Sequence, residues 1–159
     1  MLAIADDPRT AGTADIVVCD TLGQAVPTRV RGLVGELSTR DRRIVYHGHD
    51  TWGLGVANSL AALAAGASEV DGALGGLGGC PFAPGASGNA ATEDLLFALR
   101  PDWLTPAVFA RIVGLTDALL GELGEPNRSR AAQAAHTSTT TFPWSLSPLS
   151  PGSDRPAHG

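Results

Sequence analysis

The sequence predicts an α/β fold, three βα units laid on a parallel sheet. Two observations carry this. Short apolar runs at residues 16–19 and 44–47, and a weaker strand pattern at 69–73, are each followed by helical periodicity or helix punctuation. The chain has 159 residues, 43% of them hydrophobic, which is one domain's worth of sequence and enough to bury a core.

Ile16-Val17-Val18-Cys19 is a continuous apolar run ending at Asp20-Thr21-Leu22-Gly23, the pattern of a strand buried on both faces and then a loop. Pro27 suits a first helical turn, and Val30, Leu33, Val34 and Leu37 then share one helical face. Residues 39–43 make a polar turn. Ile44-Val45-Tyr46-His47 is a second buried strand, followed by a helix over about 54–65 with Val56, Leu60 and Leu63 inward and Gly66 as its stop. Residues 69–73 form a weaker third strand. A Gly/Pro-rich loop spans 75–88. A helix begins at Thr92, with Glu93 and Asp94 placed to complement its dipole. Thr105-Pro106 caps a last helix that runs to about Leu123, with Phe109, Ile112, Val113, Thr116 and Leu120 inward. Residues 124–159, punctuated by five prolines, read as a disordered or loosely attached tail in which Trp144 alone is fit to dock.

The net charge is −5 and no Lys/Arg cluster forms a nucleic-acid footprint. No apolar run is long enough to span a bilayer, and residues 1–15 lack the apolar region of a signal peptide. Two cysteines make no disulfide framework, so a reducing, cytoplasmic setting is expected.

The chemistry gathers in a short span. His47 and His49, two apart at a strand end, point to one face and can converge on a metal; the alternative is a hydrogen-bonded loop histidine beside an unrelated one. Asn89 can bring an amide oxygen to such an ion or cap the next helix. Asp50 reads as a turn former. Asp20 can hold a substrate hydroxyl, relay a proton, or simply cap its neighbours' amides. Cys80 stands among Gly75, Gly76, Gly78, Gly79 and Gly85, where a thiol can reach solvent and act as acid, base or nucleophile; buried packing is the other reading. Cys19, inside an apolar strand, reads as core.

These residues resemble a known family. His47-Gly48-His49-Asp50-Thr51-Trp52-Gly53 is similar to the metal-binding strand end of the 3-hydroxy-3-methylglutaryl-CoA lyases, a motif shared across a wider group of metal-dependent barrel lyases and synthases. Leu74-Gly75-Gly76-Leu77-Gly78-Gly79-Cys80-Pro81-Phe82, continuing to Asn89, resembles that family's signature loop nearly position for position. Asp20-Thr21-Leu22-Gly23 resembles the end of an earlier strand, and Arg130-Ala131-Ala132-Gln133-Ala134 faintly resembles the C-terminal region. The glycine-Cys-Pro loop is the specific part.

The resemblance implies a partial (β/α)8 TIM barrel: about its last three βα units and C-terminal helix in residues 1–123, with 124–159 as the tail. It implies that His47, His49 and Asn89 ligate a divalent cation, Mg²⁺ or Mn²⁺. Cys80 becomes the catalytic loop thiol, and Asp20 sits near the substrate's reacting hydroxyl. The implied reaction is retro-Claisen cleavage of 3-hydroxy-3-methylglutaryl-CoA to acetoacetate and acetyl-CoA, with an acyl-CoA substrate and neither nucleic acid nor membrane as partner. The family's N-terminal Arg-Asp pair has no counterpart in these residues, so the chain alone is expected to be inactive. Open sheet edges invite self-association. Two other readings are a Claisen-type acyl-CoA synthase and a non-catalytic truncated fragment.

Overall fold

A computed structural model describes residues 2–10, 12–79, 84–137 and 144. After a short helix α1 (Leu2–Ala5), the chain alternates as β1 (Asp15–Asp20), α2 (Pro27–Leu37), β2 (Arg43–Gly48), α3 (Gly55–Ala64) and β3 (Glu69–Asp71). The strands pair in parallel in the order β1-β2-β3, with Cys19 opposite His47 and His47 opposite Asp71. Then come α4 (Thr92–Leu99), α5 (Pro106–Leu123) and α6 (Arg130–Ala135). Among the described residues no helix is long and apolar enough to cross a membrane.

One face of the sheet is covered. Val18, Ile44 and Tyr46 pack with Val30, Val34 and Leu37 of α2 and Ala62 of α3, while Ile16, Leu33 and Val70 lie at the margin. The strands are therefore not buried on both faces. Val17 is 49% exposed, and Cys19, expected in the core, is exposed as well. Both helices sit on the same side, so alternate residues of β1 turn outward. The first strand also extends one residue further than its apolar run, because Asp20 pairs with Gly48.

Helix α3 buries an unexpected stripe. Leu60 is exposed, whereas Gly55, Asn58, Ser59, Ala61 and Ala62 are buried. The large side chains come from the sheet, so the helix approaches through small ones: a Cβ on Gly48 would stand 3.4 Å from Ser59 Oγ. Ser59 Oγ donates to the Gly55 carbonyl one turn back and Asn58 Nδ2 to the distant Ala25 carbonyl, while Asn58 Oδ1 is buried with no hydrogen-bond partner among the described residues.

A second cluster joins Leu104, Phe109 and Val113 with Ala132 and Ala135 of α6. Here the expectation for residues 124–159 needs correction over its first part, since 130–135 are helical and docked. Ser129 caps α6, its Oγ accepting from Ala132 N–H and donating to Asp94. The Asp94 carboxylate also accepts from the Arg130 and Ala131 amides. The helix is fixed by a carboxylate more than thirty residues away, a signal that local composition does not carry. Trp144 docks as expected, edge-on to Phe109 with ring centroids 5.7 Å apart. Thr105 is the cap of α5, accepting from Val108 N–H, and Phe109, Val113, Thr116 and Leu120 are its buried stripe.

Candidate functional site

The site forms where β2 ends. His47 is its penultimate residue, and His49 follows the strand and pairs with Asn89 in an isolated antiparallel bridge. Backbone bonds on either side fasten the two segments: Asp50 N–H to the Gly88 carbonyl and Ala90 N–H to that of Gly48, each 2.9 Å. The approach needs glycine. Gly88 has φ +92°, and a Cβ there would lie 1.6 Å from the carbonyl oxygen of Gly78. The two arms of the glycine-rich loop can therefore touch only through bare backbone, and Asn89 is delivered beside His49.

The expected convergence of the imidazoles is present. The His47 and His49 rings stand edge to face, centroids 5.2 Å apart. His49 is buried, and its Nδ1 has no hydrogen-bond partner among the described residues. Burial, and then the neighbouring His47, push its pKa below the ordinary imidazole range. Both effects favour the neutral ring, the form that ligates metals. Asn89 is not a helix cap: α4 is capped by Ala91, with no side-chain bond. Its Nδ2 donates to the Leu77 carbonyl at 2.8 Å, which turns the amide oxygen into the free end among the described contacts.

Asp20 reaches the same strand-end layer beside Gly48, but its oxygens accept from the Gln24 and Ala25 amides at 3.0 and 3.1 Å. The capping reading is thus realised, with further lone pairs left on each oxygen. Asp50 is a turn former as expected, accepting from Gly55 N–H at 2.7 Å. Cys80 lies outside the described residues. Cys19 faces the open side near His47, its exposed thiol still partly desolvated by its neighbours, which with Asp71 pushes its pKa up, the opposite of an activated thiolate.

Sequence reasoning missed Asp71. Its carboxylate lies 2.7 Å from His47 Nδ1. The signal was available in principle: in-register parallel strands put His47 and Asp71 side by side on one face.

Among the described residues no three His, Cys, Asp or Glu side chains group to hold a metal. The residues brought side by side are His47 with His49, through their rings, and His49 with Asn89, through the backbone bridge. An orphaned buried nitrogen on His49 and a free amide oxygen on Asn89 fit a divalent cation that keeps other positions for water or substrate. A polar cleft of about 500 Å³ opens beside Asn89, walled by Thr51, Ser87, Asp94, Arg128 and Arg130. A second cavity of about 570 Å³ runs along the outer edge of β1 and is mostly apolar, with Asp20 at its rim.

Comparison with known proteins bears on these features. A family model described as HMGL-like matches residues 1–113. The chain is 38% identical over 130 residues to a hydroxymethylglutaryl-CoA lyase of Bacillus subtilis, covering 80% of this chain and 44% of that protein. It is 39% identical over 127 residues to an (R)-citramalyl-CoA lyase of Chloroflexus aurantiacus, covering 78% and 40%. A solved HMG-CoA lyase of Acinetobacter baumannii, in complex with coenzyme A and 3-methylmalate, superposes with a TM-score of 0.74 at 34% identity, over 93% of this chain and 48% of that one. The Bacillus subtilis structure gives 0.69 at 37%, over 79% and 43%. The chain thus spans under half the length of these relatives, and its three-stranded parallel sheet corresponds to part of their TIM barrel.

Proposed function

The chain belongs to the HMGL-like family, and on that premise we propose that it carries the metal-ligand end of a carbon–carbon lyase site acting on a 3-hydroxyacyl-CoA thioester. The observation that carries the proposal is the meeting of His47, His49 and Asn89 at the C-terminal end of parallel strands, where barrel enzymes place their chemistry. These three residues would hold Mg²⁺ or Mn²⁺. Bound there, such an ion supplies Lewis acidity that eases loss of the substrate's hydroxyl proton.

The reaction proposed is the retro-Claisen cleavage of 3-hydroxy-3-methylglutaryl-CoA. The hydroxyl loses its proton and the new carbonyl forms as the neighbouring C–C bond breaks. The electron pair passes to the thioester as an enolate, which takes a proton to become acetyl-CoA, leaving acetoacetate. Asp20, whose oxygens accept from two amides, would orient the hydroxyl through its remaining lone pairs. Cys80 stays in the proposal as the loop thiol that assists protonation, on the resemblance of its loop. The anionic CoA phosphates would lie along the polar cleft toward Arg128 and Arg130. A cytoplasmic setting is proposed, as for the Rattus norvegicus lyase named cytoplasmic.

Among the described residues three strands of such a barrel are present, and the 159-residue chain by itself is expected to bind metal without cleaving substrate. A chimera tests the function. Residues 15–123 replace the corresponding region of the Bacillus subtilis relative, and acetyl-CoA release is followed with 3-hydroxy-3-methylglutaryl-CoA and with citramalyl-CoA. Retained cleavage of the first substrate is expected. A folded, metal-loaded chimera inactive on it would overturn the assignment, and activity confined to citramalyl-CoA would transfer it to the second substrate.

A further inference from the structure

We propose that Asp71 is the positioning residue that fixes the tautomer and ring orientation of His47, so that His47 offers Nε2 as its ligating nitrogen. The inference rests on the metal reading above for its purpose, though not for its geometry. His47 and Asp71 are paired positions of β2 and β3, whose side chains share the open face of the sheet. The carboxylate oxygen Oδ1 lies 2.7 Å from His47 Nδ1, a distance typical of a charge-assisted hydrogen bond. A carboxylate only accepts, so Nδ1 must carry the proton, and in the neutral ring Nε2 then keeps its lone pair.

The two candidate ligands are built differently. His49 is held by burial and has no carboxylate hydrogen-bonded to it among the described residues, whereas His47 is part-exposed and would swing without one. Asp71 is rigid for this task because β3 is fastened to β2 directly beneath it, and no loop intervenes. Ligating histidines generally owe their orientation to such an outer partner, and losing it lowers metal affinity 10–100-fold. Nothing else among the described contacts explains why an acidic residue closes β3 on the same face as the imidazoles.

The test uses the full 159-residue chain, metal-free, with ¹⁵N-labelled histidine, at about pH 8, where free imidazoles are neutral. Long-range ¹H–¹⁵N correlation spectra read each tautomer, and His47→Gln assigns the signal. The wild type is expected to show His47 protonated at Nδ1. In Asp71→Ala that preference is lost, and in Asp71→Asn, which keeps an acceptor, it is partly restored. Mn²⁺ titration by electron paramagnetic resonance is expected to show 10–100-fold weaker binding in Asp71→Ala and a smaller loss in Asp71→Asn. A wild-type His47 protonated at Nε2 overturns the proposal without need of any variant. So does an Asp71→Ala spectrum, in a chain that remains folded, with the tautomer unchanged. If the tautomers behave as expected and the wild type binds no Mn²⁺, the Asp71–His47 assignment stands and the metal reading falls.

Discussion

Glu93 offers a sharp test of how the glycine-rich loop is anchored. It is fully buried in the first turn of α4. One oxygen accepts from the Gly75 amide at 2.8 Å and the other from the Thr116 hydroxyl on α5. Gly75 begins the loop in a left-handed conformation, φ +57°, where a Cβ would collide with Leu120 Cδ1. The carboxylate therefore pins the loop's root to two helices at once. Hydrogen bonds to a charged acceptor contribute about 1.5–3 kcal/mol each. Glu93→Ala removes two and strands both donors in the interior, so a loss of about 3–6 kcal/mol follows. Thr116→Val removes one bond at nearly constant shape and should cost about 1–3 kcal/mol. The pair shares a partner, so the double variant should fall short of the sum by at least 0.5 kcal/mol, on the order of couplings between contacting residues. Urea unfolding followed by far-ultraviolet circular dichroism measures all three, with constant m-values as the check that only stability has changed. A Glu93→Ala variant destabilised by under about 1 kcal/mol would refute the claim that these bonds are buried and made.

Three other expectations can be checked directly. Gly88→Ala should destabilise the fold by at least about 1–2 kcal/mol from its left-handed backbone alone. The contact with Gly78 forces further displacement of Asn89, visible as weakened Mn²⁺ binding. Mn²⁺ at a hundredfold its dissociation constant should stabilise the wild type by about 2.7 kcal/mol in thermal or urea unfolding and leave His47→Ala unmoved; equal stabilisation of both would place the ion elsewhere. The Tyr46 phenol is pushed well up from 10.0 by burial and then by the Asp20 carboxylate. Because its folded-state pKa is raised, its contribution to stability is complete below pH 10 and is lost as pH rises, at no more than about 1.4 kcal/mol per pH unit. Tyr46→Phe should flatten that alkaline slope; an unchanged slope would show that another group controls it.

What could be read in advance follows from the range of the interactions. Helix α5 was legible because everything that defines it is local: the Thr105 cap, Pro106 in the first turn, and apolar residues on one face. The His47, His49 and Asn89 motif was legible as a spacing, and the backbone bridge between His49 and Asn89 brings two of its members together. Helix α3 was misread because the search was for large apolar residues, while close packing on the sheet selects Gly55, Ser59 and Ala62. Cys19 was misread because an apolar run does not tell how many sides of a sheet are covered. Asp71 escaped notice because its role depends on register between strands, and Asp94 because its partners lie in α6.

The Asp94 cap has a kinetic consequence. Helix α6 has six residues, about half the length at which an isolated helix becomes even marginal in water. It exists only while docked, so it cannot open without releasing the first turn of α4. Amide hydrogen exchange at residues 130–135 should thus be set by a joint opening of the two helices and not by fraying of a free end. Since Asp94 and Arg130 also wall the polar cleft, a bound anion there would slow exchange across both helices together.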